Sequence, residues 1–150
     1  MLSKKDLLIV SCLRKNARET LTKISRITHI PVSTIYDKLQ QHEATIIWKH
    51  TTLIDFSKLG FHARANVIMR VPREKREEFT RHLMTSPYTN SLYKINNGYD
   101  FLAELVFRDV KEMEDCLELL EHRFNVTEKQ VYFIIEDLKK EGVLPDQSLP

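Results

Sequence analysis

The 150-residue sequence holds three glycines, two cysteines and one tryptophan, and it has no apolar run long enough to cross a bilayer. The stretch MLSKKDLLIVSCLRK is interrupted by Lys4, Lys5, Asp6, Arg14 and Lys15, and no small-residue cleavage site follows it. Neither a membrane span nor an export signal is expected, and the expected location is cytoplasmic. Cys12 and Cys116 lie within helical patterns far from any CxxC partner, which excludes a disulfide framework and a thiolate metal site and leaves two small reduced core residues. No phosphate-cradling glycine loop, nucleophile elbow or zinc signature occurs, so a conventional enzyme and a bound cofactor are not expected. The six histidines, His29, His42, His50, His62, His82 and His122, are scattered without an HxxxH spacing, as surface or helix-end residues are.

What is present divides by charge. Residues 1–60 hold 10 Lys and Arg against 5 Asp and Glu, a net of +5, whereas residues 61–150 hold 13 against 16, a net of −3. A basic front and a mildly acidic back point to a polyanion-binding module followed by one with another task. The length allows one domain or two small ones with a core that needs no staples.

Ser3 as N-cap and Asp6 in the first turn predict a helix from Lys4 to Lys15, with Ile9, Val10 and Leu13 as its apolar stripe. From Thr20 to Gln41, Leu21, Ile24 and Ile27, then Val32, Ile35 and Leu39, recur at helical spacing around a tight corner. Thr20 can cap the earlier helix, and Pro31 can open the later one because its missing N–H is not needed there. The outline is that of a helix-turn-helix, although a small helical core uses the same periods. Tyr36 is expected on the inner face with Val32, Ile35 and Leu39. The outer face carries Ser33, Thr34, Asp37, Lys38, Gln40 and Gln41, whose hydroxyl and amide groups can reach base edges in a major groove. Phosphate anchoring falls to Lys23 and Arg26 and to the upstream Arg14, Lys15 and Arg18. TIIWKHTTLI, from Thr45 to Ile54, is β-branched and free of glycine and proline, which predicts a strand.

A regular alternation follows: a strand over 61–71, a helix over 72–84, a strand over 88–95, a hairpin turn at Asn96-Asn97-Gly98, a strand over 99–107, a helix over 110–123 and a strand over 126–138. Asp109 with Glu112 has the form of a capping box for the second helix. On the last strand, Val131, Phe133 and Ile135 are expected to face the core. The order βαββαβ is ferredoxin-like, an antiparallel four-stranded sheet with two helices on one face. The other face, with Tyr132 and Ile134, needs a cover, and dimerisation through the sheet supplies one. It would also give the two-fold symmetry needed to read half-sites roughly 34 Å apart.

DLLIVSCLRKNARETLTKIS, STIYDKL, LIDFSKLGF, NNGYDFLAELVFRD and VYFIIEDLK, in that order and spacing, resemble the leucine-responsive regulator and AsnC (Lrp/AsnC) family of transcription regulators. The likeness is collinear over all but the final tail. It implies an α+β chain with a winged helix-turn-helix at 1–45, a strand or linker at 46–60, a ferredoxin-like RAM-type effector and oligomerisation domain at 61–139, and a tail at 140–150. It further implies a partner in double-stranded DNA, and homodimers that assemble to octamers or other higher forms. A small effector, commonly an amino acid, would bind between dimers near Gly98, Tyr99 and Asp100. Glycine there lets backbone approach a ligand closely, and a carboxylate can pair with an α-amino group. Where the family has a glycine and then a serine cap before the recognition helix, this chain has His29 and Pro31; histidine tolerates a left-handed turn better than most side chains. Two other functions stay open: a sirohaem-decarboxylase-like enzyme of the same fold, and a co-assembling partner with a weakened DNA head.

Overall fold

The computed structural model describes residues 2–144, so the end of the expected tail, 145–150, lies outside the described residues. The chain forms two compact units, one running to Leu53 and including the segment from Leu138, the other Ile54–Asp137.

The first unit is three helices: α1 (Lys4–Lys15), α2 (Leu21–Thr28) and α3 (Val32–Thr45). α1 starts at a reciprocal cap, in which Ser3 Oγ accepts from Asp6 N–H at 3.2 Å and Asp6 Oδ2 accepts from Ser3 N–H at 2.9 Å. Thr20 Oγ1 accepts from Lys23 N–H at 3.2 Å and caps α2. α2 ends on His29 in the left-handed conformation (φ 59°, ψ 25°), so histidine does take the corner where the family carries glycine. Ile9, Leu13, Ile24 and Ile35 form the core, together with Ile30 from the corner itself.

Three expected inner residues lie outside: Ile27 and Val32 are more than two-fifths exposed and Tyr36 is 52% exposed. Three short helices meet along a seam too narrow for a full apolar stripe, so residues flanking Ile24 and Ile35 turn outward. No strand forms at Thr45 to Ile54. α3 runs on to Thr45 and residues 46–55 have no regular structure. β-branched propensity becomes a strand only against a pairing edge, and none of the described strands pairs with this stretch.

The second unit contains β1 (Ala63–Arg70), a 3₁₀ turn (Arg73–Lys75), α4 (Arg76–Thr85), β2 (Thr89–Lys94), β3 (Phe101–Phe107), α5 (Val110–Phe124) and β4 (Glu128–Phe133). The strands form one antiparallel sheet in the order β2-β3-β1-β4. Alternate residues Ala65, Val67 and Met69 of β1 lie opposite Leu105, Ala103 and Phe101 of β3 and are buried with them against Phe79 and Leu83 of α4 and Met113, Leu117, Leu120 and Phe124 of α5. Phe79 anchors this core, its ring centroid 4.8 Å from that of Phe101 and 5.6 Å from that of Phe124. The Asp109 cap forms, accepting from Glu112 N–H at 2.8 Å, but Glu112 does not return the bond to Asp109; it accepts from Arg108 N–H at 2.7 Å and from the Tyr88 hydroxyl at 2.9 Å. β4 is shorter than expected. Val131 packs on the core, whereas Phe133, paired opposite Ala65 in the last register position, is half exposed, and Ile135, beyond the end of the strand, is 97% exposed.

Candidate functional sites

α3 presents the candidate DNA-contacting face. Ser33, Asp37, Gln40 and Gln41 are exposed and Thr34 is half-buried. Gln40 Nε2 donates to the Tyr36 hydroxyl at 2.9 Å, one helical turn earlier, which places Tyr36 on this outer face rather than in the core. Arg26 and Lys23 are exposed on α2, with Lys23 3.5 Å from Glu19.

Lys38 is separated from this group. Its Nζ donates to Asp6 Oδ1 of α1 at 2.8 Å, and the buried His42 brings Nε2 to 3.2 Å from the same oxygen, too poorly aligned for a hydrogen bond. The Lys38 bond, then the Ser3 hydroxyl, hold the Asp6 carboxyl well below the usual carboxylate range. The cation between Val32 and Gln41 therefore ties α3 to α1. Of the upstream cations, Arg14 is engaged by Glu141 at 2.7 Å and by the Val143 carbonyl at 3.1 Å.

The candidate effector turn joins β2 to β3. Asn97 (φ 65°) and Gly98 (φ 88°) are both left-handed, the form that a tight hairpin requires. The Gly98 carbonyl accepts from Arg70 Nε at 2.8 Å, and the same guanidinium stands 5.8 Å from the Tyr99 ring centroid. Tyr99 in turn accepts from Gln130 Nε2 at 2.9 Å. Asp100 is a structural staple: Oδ2 accepts from Val71 N–H at 2.8 Å, and Oδ1 lies 2.9 Å from Arg76 Nη2. Arg76 Nε also donates to the Val71 carbonyl at 2.9 Å, so turn, end of β1 and start of α4 are fastened together.

Beside this staple opens a cavity of about 700 Å³. Asp100 and Phe101 form one side; Arg73, Arg76, Glu77, Thr80, Arg81 and Met84 line another, with Lys94 and Ile95 from the end of β2. Gly98 and Tyr99 are not among its lining residues, so the structure brings one of the three expected effector residues to the cavity. The α4 cations were not singled out by sequence reading. The signal was spacing, since 76, 77, 80, 81 and 84 recur at threes and fours along one face of α4, with 73 three residues ahead on the 3₁₀ turn.

Residues 64–144 match the model of the Lrp/AsnC ligand binding domain. The chain is 25% identical over 141 residues to the HTH-type transcriptional regulator FL11 of Pyrococcus horikoshii, covering 93% of each. It is 24% identical over 144 residues to the glutamate uptake regulatory protein of Zymomonas mobilis, covering 93% of this chain and 88% of that one. Among solved structures, the transcriptional regulator–L-Met complex from Neisseria meningitidis superposes with a TM-score of 0.84 at 23% identity, over 93% of this chain and 94% of that one. LrpC of B. subtilis superposes with a TM-score of 0.83 at 20% identity, over 93% and 98%.

Proposed function

The chain belongs to the Lrp/AsnC family, and from that footing we propose that it is a DNA-binding transcription regulator whose first unit reads duplex DNA and whose second unit binds a small effector that alters assembly or DNA binding. One observation carries the reading. α3 holds its inner face locked by Ile35 and the Lys38–Asp6 pair, and keeps Ser33, Asp37, Gln40 and Gln41 outward, in a chain whose remaining domain is an Lrp/AsnC ligand binding domain. The left-handed His29 corner serves the same arrangement, setting α3 off from α2 as a recognition helix. Ser33, Thr34, Gln40 and Gln41 face base edges; Arg26 and Lys23 hold phosphates; Asp37 accepts from cytosine N4. Lys38, assigned to the DNA set by position, acts by holding the helix in place.

The names of the relatives support regulation of transcription, and the L-Met complex supports an amino-acid-like effector. Dimers form through the helix-free sheet face and stack into higher oligomers, and two-fold symmetry supplies a pair of α3 helices for a pair of half-sites. A second reading is favoured by one contact: with Lys38 committed to Asp6 and Asp37 exposed, α3 offers phosphates no free cation, as a co-assembling partner with a weakened head would. Selection of binding sites from random duplex DNA separates the two. Enrichment of two-fold related half-sites is the expected result; a pool that stays random sinks the DNA-reading assignment and leaves the partner role.

A further inference from the structure

We infer that the cavity beside Asp100 takes a small dicarboxylate, two carboxylates joined by a short carbon chain, in preference to a neutral or basic amino acid; this rests on the reading that the second unit binds an effector. The charge in the cavity is unlike that of its surroundings. Residues 54–137 hold 12 Lys and Arg against 15 Asp and Glu, a net of −3, yet the cavity gathers Arg73, Arg76, Arg81 and Lys94 against Glu77 and Asp100, a net of +2.

The pairing within the cavity says which charges are available. Arg76 is paired with Asp100 at 2.9 Å, and the exposed Arg81 lies 3.1 Å from the likewise exposed Glu77 one helical turn earlier. Arg73 and Lys94 make no side-chain hydrogen bond or ion pair among the described residues. Two uncompensated cations thus remain, one on the 3₁₀ turn before α4 and one at the end of β2. Because they come from separate elements, they suit two separate anionic groups better than one compact anion. Arg73 can grip a carboxylate through two parallel N–H groups, whereas Lys94 supplies a point charge. Met84, Ile95 and Phe101 give the same cavity apolar wall for a hydrocarbon spacer. A neutral zwitterion brings no net charge and leaves the surplus of two positive charges in place, and a basic ligand raises it to three.

The test is calorimetric titration of the full-length protein with glutarate, L-glutamate, L-leucine, L-lysine and inorganic phosphate at equal ionic strength. A dicarboxylate should bind at least about tenfold tighter than leucine, lysine or phosphate, and the double substitution Arg73→Gln with Lys94→Gln should remove that preference while leaving the thermal midpoint unchanged. Leucine, lysine or phosphate binding as tightly as the better dicarboxylate overturns the inference, as does undiminished dicarboxylate binding by the double variant. Sedimentation and DNA binding, followed in the same titrations, keep the two readings apart. A neutral amino acid that shifts assembly or DNA binding overturns the dicarboxylate and leaves the effector-tuned regulator standing. Tight dicarboxylate binding without effect on either supports the inference and overturns the regulatory reading.

Discussion

The Lys38 ammonium and the Asp6 carboxylate are 2.8 Å apart, on helices whose sequence positions differ by 32 residues. Helical periodicity places Lys38 on the outer face of α3, and nothing in the sequence reports that its flexible stem folds back to a buried carboxylate. The pair has a checkable consequence. Lys38→Met retains the apolar stem but leaves Asp6 buried without its cation, at a cost of about 3 kcal/mol to the first unit at pH 7. Asp6 has a folded pKa depressed below its unfolded value, so its stabilisation is complete above the unfolded carboxylate value of about 4 and is lost as pH falls through the depressed folded value. Denaturant unfolding of the two proteins should show a gap that narrows below about pH 4; a gap independent of pH would exclude the pair as its source. Asp100 teaches the same lesson about carboxylates. Its position beside Gly98 was legible, its bonds to Val71 and Arg76 were not, and they make Asp100→Ala a lesion of the fold as well as of the site.

Helix α3 combines a hydroxyl- and amide-rich outer face with no outward cation, and the two properties predict different responses. Gln41→Ala should weaken binding by about 1 to 3 kcal/mol at the selected site and little on random duplex. Arg26→Ala, on α2, should weaken both alike and lower the slope of log affinity against log salt by about 1. Measuring both variants over a salt series distinguishes base reading from phosphate anchoring, and an equal loss for Gln41→Ala on both DNAs would end its role as a reader. The other elements show where pattern suffices. α1 and α5 fall within a residue of their expected bounds, and α2 begins directly after its expected cap, Thr20, because caps and periods are local. The stretch after α3 carries strand-forming residues without a strand, since none of the described strands offers it a partner edge, and β4 stops at Phe133 although Ile134 N–H still reaches the Arg64 carbonyl of β1 at 2.9 Å.

At the scale of the whole molecule, the sheet face away from α4 and α5 is neither bare nor uniformly apolar. Glu104, 8% exposed, accepts from Asn90 Nδ2 at 2.7 Å and lies 3.6 Å from Arg64, while Tyr132 of β4 is 54% exposed nearby in register with Asn66. A satisfied polar cluster beside an exposed aromatic edge is the composition of a specific protein contact. If dimerisation uses this face, Tyr132→Glu should reduce the sedimenting mass to that of one 17.7 kDa chain, while the unmodified protein sediments at twice that mass or more. An unmodified protein that runs as a single chain, or a variant that keeps its partner, would rule the face out.

The sequence by itself determined what depends on neighbours along the chain. The caps at Ser3, Thr20 and Asp109, the His29 corner, the Asn97-Gly98 turn and the βαββαβ order each rest on spacing and backbone preference, and each is present. Tertiary structure alone decided which charges meet. Lys38 went to Asp6, Arg14 to Glu141, and Arg76 to Asp100, leaving Arg73 and Lys94 as the uncompensated cations of the cavity. The reason is physical: long charged side chains reach several ångströms and pair with whatever carboxylate the fold brings near, so their roles are set by distances in space that no periodicity along the chain encodes.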